Sequence, residues 1–186
     1  MVCRGQLGST YYLLHTIRWY LLSILVVLFV YDLRYGLVPD RVVLPAIGVA
    51  ALYTVILSRA KDLFTMQGVG SLHSARASVE MTIGGILLAI TIGAGFFALQ
   101  YYLSRGRWLG AGDIRIGALM GAIVGWPLIF EALVISYLIG GLFAGILLIL
   151  RKKQFGQTLP LGTFLTLGTV ITILYGQQIW SWYWHI

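Results

Sequence analysis

From Met81 to Leu103 the chain runs without one charged residue, and it does so again from Ile116 to Phe130. The first run is long enough to cross the hydrocarbon core of a bilayer as a helix. Only 10% of the residues are charged and mean hydropathy is +0.89, whereas a soluble domain commonly carries about a quarter. The chain cannot clothe itself for water. Closed β-barrels also satisfy backbone groups in lipid, but they alternate polar and apolar positions. The run Leu22 to Val30 is apolar on every side. The expected fold is all-α and polytopic.

Six spans are expected, at about 12–31, 42–58, 80–103, 114–126, 127–150 and 160–180. Gly125-Trp126-Pro127 breaks what would otherwise read as one long helix. The polar stretch from Arg59 to Ser78 reads as a loop on the outer side, and the first residues, about 1–11, as a short lead-in. Nothing marks a repeat or a second domain, so one membrane-embedded domain over 1–186 is expected.

Basic residues orient such a bundle, because Lys and Arg are retained in cytoplasmic loops. Arg34, Arg41, Arg105, Arg107, Arg115, Arg151, Lys152 and Lys153 fall on one side. Arg4, Arg18, Arg59, Lys61 and Arg76 fall on the other. The richer side is read as cytoplasmic, which puts both termini outside a cell membrane. The net charge of +7 then reports basic loops near anionic lipid rather than nucleic-acid binding. Trp180, Trp182, Tyr183 and Trp184 read as an interfacial aromatic belt. The lone Cys3 leaves no disulfide framework or multi-cysteine zinc site. The first apolar span is too long for a cleavable signal peptide.

Carboxylates are costly at membrane depth, so the six acids are read one by one. Asp32 ends the first helix and Asp113 opens the fourth. Two crossings separate them, so they share one face of the membrane whichever way the protein points. In isolation each has a plain structural role: Asp113 as a helix cap, Asp32 as an interfacial partner of Arg34. Asp62 and Glu80 read as loop acids, and Glu131 as an acid snorkelling to the outer interface. Asp40 reads as the N-cap of the second helix. What sets Asp113 apart is Gly110-Ala111-Gly112 before it. Glycines admit positive φ and close approach of another backbone, which suits an acid that must meet an extended peptide.

Three segments together resemble a known family. Asp32-Leu-Arg-Tyr-Gly-Leu-Val-Pro39-Asp40 is similar to the first aspartate motif of type IV prepilin peptidases. Gly110-Ala-Gly112-Asp113-Ile-Arg115 resembles their Gly-x-Gly-Asp motif, and Pro160-Leu-Gly162-Thr163-Phe-Leu their Pro-x-Gly-Pro-Phe-Leu element, with Thr163 in place of the second proline. The resemblance implies a two-aspartate endopeptidase without metal or cofactor. Asp32 and Asp113 would be catalytic, and Gly110, Gly112, Pro39, Pro160 and Gly162 would position the substrate. The substrate would be a prepilin-like or pseudopilin-like protein with a short basic leader and an apolar helix, cut after a glycine on the cytoplasmic side. Many bacterial members carry a cysteine-paired extension associated with N-methylation; with Cys3 alone, the resemblance implies peptidase rather than methyltransferase activity. The short plan is closer to archaeal preflagellin peptidases.

Two close carboxylates cannot both ionise cheaply, so one keeps a proton and the pair acts as base and acid. Two other readings use the same acids. Presenilin and signal peptide peptidase also pair Tyr-Asp with Gly-x-Gly-Asp, but their third motif is Pro-Ala-Leu, where this chain has Pro160-Leu161-Gly162. A small ion or proton-coupled transporter would favour acids at the bilayer midplane rather than at span ends.

Overall fold

The computed structural model describes residues 3–65, 72–107, 109–150 and 160–184. Among them every regular element is an α-helix: α1 (Cys3–Tyr35), α2 (Asp40–Thr65), α3 (Leu72–Leu103), α4 (Ala111–Val124), α5 (Leu128–Ile149) and α6 (Leu161–Trp184). Four contain segments long and apolar enough to span a membrane: His15–Tyr35, Asp40–Leu57, Ile83–Leu103 and Leu128–Ile149. Leu161–Gly176 is a shorter apolar stretch, and α4 has only 14 residues. The protein is a polytopic helical membrane protein.

All six expected helices are present, but the first three overrun their expected ends. The lead-in is helical from Cys3, and α2 and α3 take up most of the stretch read as an outer loop. Asp62 and Glu80 are thus helical residues. Polarity ends a membrane span without ending a helix: Ala, Lys, Leu and Arg beyond the apolar core are good helix formers. Gln67 and the Arg151-Lys152-Lys153 cluster lie outside the described residues.

Short α4 is the centre of the bundle. One core cluster joins Leu21, Leu25 and Leu28 of α1, Val43, Ala46 and Ala50 of α2, and Leu119, Ala122 and Ile123 of α4. A second joins Ile116 and Met120 of α4 to Phe97 of α3, Ile129 of α5 and Leu165 of α6. Against α3 the backbones themselves meet. A Cβ at Gly117 would strike the Gly93 carbonyl, and one at Gly121 the Ala89 carbonyl. In lipid, where apolar faces gain nothing by hiding from water, such close backbone approach is a main source of helix association. The long helices turn apolar residues such as Leu99, Leu138 and Leu142 outward, as lipid contact requires.

The breaks fall where the sequence places them. Gly36 takes φ 60° and its N–H returns to the Asp32 carbonyl at 2.8 Å. This is a left-handed helix end that a side chain resists. Gly125, with φ 72°, closes α4 onto the Gly121 carbonyl before Pro127 leads into α5. Glu131 departs from expectation. Its two carboxylate oxygens are buried and have no hydrogen-bond partner among the described residues, so it does not snorkel. It sits in the first turn of α5 beside Gly176, whose missing side chain leaves room for it.

Candidate active site

Asp32 and Asp113 meet at one end of the bundle. Asp32 is 5% exposed and Asp113 8%, yet both line the same cavity of about 730 Å³. The helices that carry them are bridged rather than directly packed, since α2 and α6 each contact both α1 and α4. The opening between the two acids is therefore a product of the bundle's layout.

The three motifs interlock around it. Gly112 lies against Val38 of the α1–α2 connection, where a Cβ would come within 2.7 Å of the Val38 Cγ2. Gly162 lies against the other two motifs at once: its Cβ would fall 2.6 Å from Ile116 Cδ1 and 2.9 Å from Asp32 Oδ2. Arg115 forms an ion pair with Asp40, tying the start of α2 to α4. Each glycine is needed for close approach. Gly112 is an ordinary helical residue, and no positive φ is recorded for it, so the conformational reason expected from sequence does not apply there.

Each acid is fixed differently. Asp113 is the third residue of α4 and does not precede it; Gly110 is the N-cap. The Gly110 N–H donates to Asp113 Oδ2 at 3.1 Å, so the acid folds back on its own helix start. Asp32 is not held by Arg34. Its Oδ2 accepts the Thr163 N–H at 2.7 Å and the Thr163 hydroxyl at 2.9 Å. Asp40 is the first residue of α2, with the Pro39 carbonyl accepting from Val42 and Val43; its carboxylate serves Arg115 rather than a cap.

Of the residues expected to position substrate, Gly110, Gly112 and Pro160 line the cavity, together with Leu33, Val38, Arg107 and Leu161. Pro39 and Gly162 are not among its lining residues, although Gly162 packs against Asp32, which is. Sequence reading missed Thr163 as a partner of Asp32 and Arg115 as a partner of Asp40. A helix start leaves backbone N–H groups unpaired, so a threonine in the first turn of α6 was a legible donor. Nothing local said that Asp32 would be its acceptor.

A multi-pass helical membrane protein with two buried aspartates beside one cavity is the class defined by fold and site. Within that class the chain belongs to the type IV leader peptidase family, whose description matches residues 19–145. A protein of Legionella pneumophila named prepilin leader peptidase/N-methyltransferase is 27% identical over 165 residues, covering 89% of this chain and 50% of its own. A protein of the same name from Bacillus subtilis is 26% identical, covering 87% and 56%. One from Pseudomonas putida is 33% identical over 73 residues, covering 39% and 25%. The chain thus spans about half the length of the first curated relatives it matches. No solved structure gives a significant match.

Proposed function

We propose that this chain is a membrane-embedded aspartic endopeptidase that removes the leader of prepilin-like proteins, with Asp32 and Asp113 as its catalytic pair. The observation that carries this reading is the pair itself. Two acids from separate motifs, both buried, line one cavity around which Gly112 and Gly162 let the motifs pack closely. Family membership supports the substrate class.

The chemistry is water attack on a peptide carbonyl. The ionised carboxylate takes a proton from water as the oxygen adds to the carbonyl carbon. The protonated one donates to the carbonyl oxygen, giving a neutral gem-diol. In collapse the C–N bond breaks, the leaving amine takes the proton from the first carboxyl, and a diol hydroxyl returns one to the second. No metal, cofactor or covalent intermediate is required. An extended strand would enter the cavity past Gly110 and Gly112, which line it, while the substrate's apolar helix rests in lipid beside α1.

The site is assigned to the cytoplasmic face of the cell membrane, with both termini outside, because Arg34, Arg41, Arg105, Arg107 and Arg115 gather at its end of the bundle. The deciding experiment is cleavage of a prepilin-like protein by the purified protein in detergent. Cleavage that disappears in both Asp32→Ala and Asp113→Ala is the expected result. Cleavage persisting in either variant refutes the pair. An introduced cysteine at Arg107 should resist impermeant thiol reagents in whole cells of a Cys3→Ser background; labelling there reverses the orientation.

A further inference from the structure

Four buried threonines run along α6: Thr163, Thr166, Thr169 and Thr172. Three donate their hydroxyls to their own helix, Thr166 to the Thr163 carbonyl, Thr169 to Leu165 and Thr172 to Gly168. Thr163 alone among them turns outward from α6, and its acceptor is Asp32 of α1. Its backbone N–H goes to the same oxygen. N–H groups in a first helical turn have no intrahelical partner, and an anion there is favoured. The Asp32 carboxylate supplies both the partner and the charge.

Both donors converge on Oδ2, whereas Oδ1 has no hydrogen-bond partner among the described residues. A carboxylate held through one oxygen by two crossed donors cannot rotate about its Cβ–Cγ bond without losing both. Gly162 closes the remaining side, since its Cα faces Asp32 where any Cβ would collide. We propose that Thr163 is a positioning residue for the reaction: by clamping Oδ2 it presents Oδ1 of Asp32 to the water in the cavity. This rests on the peptidase reading above. A proline at 163 would make neither bond, having no N–H and no hydroxyl, so the clamp is a property of this chain's own residue.

Substitution of the hydroxyl alone separates positioning from packing. Thr163→Val keeps the shape and the backbone donor, and Thr163→Ser keeps both donors. With one of two charge-assisted bonds removed, Thr163→Val should lower kcat about tenfold while KM and the melting temperature in detergent stay near those of the unaltered protein. Thr163→Ser should recover most of kcat. Thr166→Val, which removes a bond confined to α6, should leave kcat unchanged. Unchanged kcat in Thr163→Val, a rise in KM alone, or no recovery by serine would each overturn the proposal. Asp32→Asn run beside them keeps the two ideas apart. If it is inactive while Thr163→Val is fully active, only the clamp is wrong; if it is active, the peptidase reading fails by itself.

Discussion

The first turns of α4 and α6 both meet a carboxylate, but one acid comes from three residues away and the other from the far end of the chain. At α4, Asp113 bends back to the Gly110 N–H, a local loop that any helix with an acid at its third position can form. At α6, Thr163 reaches Asp32 across 131 residues. The local arrangement costs little and survives changes elsewhere in the bundle. The distant one exists only while α1 and α6 are packed, so the orientation of Asp32 depends on the whole fold. The comparison teaches that two chemically identical side chains in one cavity can differ in what damages them.

The sharpest break of this comparison is removal of the charges themselves. Asp32→Asn and Asp113→Asn should each reduce cleavage by roughly 10³-fold or more, because neither acid can serve as both base and acid. Initial rates on a prepilin-like substrate measure it. Here the two termini should behave alike; a variant retaining near-normal rate at either position would end the symmetry of the pair.

Alanine at the paired glycines should then separate them. At Gly162 a Cβ would press on Asp32 Oδ2 at 2.9 Å and on Ile116. At Gly110 its nearest neighbour would be Asp113 Oδ2 at 3.8 Å, an ordinary contact. Gly162→Ala should therefore lose about 10²-fold in kcat, consistent with misplacing a catalytic group by about an ångström. Gly110→Ala should lose no more than about threefold, given how little an ordinary contact disturbs. Equal losses would mean that Asp32 is not held more tightly by its surroundings than Asp113.

The same contrast explains what the sequence made legible. Six helices, the Gly125 break and the shared face of Asp32 and Asp113 follow from charge-free runs, glycine and proline placement, and the parity of crossings. Asp113 was visible as a helix-start acid because its partner lies within one turn. Thr163 was noticed only as a departure from proline, since a donor and an acceptor so far apart in the chain leave no local trace. Of the two reasons given for Gly112, positive φ fails and close approach holds, but its partner is the Val38 side chain, which is a tertiary fact. Glu131 was misread because span-end position says nothing about the gap that Gly176 leaves beside it.

A change in the helix core should touch stability before chemistry. Gly121→Ala puts a methyl group against the Ala89 carbonyl and the Ile90 backbone, parting α3 from α4. A loss of about 1–3 kcal/mol is expected for such overpacking, read as a lower melting temperature in detergent. Cleavage per folded molecule should remain. Loss of cleavage without loss of stability would show that α4 transmits core strain directly to Asp113.

The smallest effect belongs to the pair that joins the first two motifs. Arg115 and Asp40 lie at the cavity rim with side chains 41% and 48% exposed, where water and salt weaken an ion pair to about 0–1 kcal/mol. Arg115→Gln and Asp40→Asn should each change stability by no more than that, and the double variant should be no worse than the sum of the singles. Cleavage should fall only a fewfold, since both residues line the cavity without holding either buried acid. The rim pair is thus the counterpart of the Thr163 clamp: also a contact between distant parts of the chain, 75 residues apart against 131, but solvated. Were Arg115→Gln as damaging as Thr163→Val, exposure would not be what separates the two contacts, and Arg115 would have to act on the bound peptide itself.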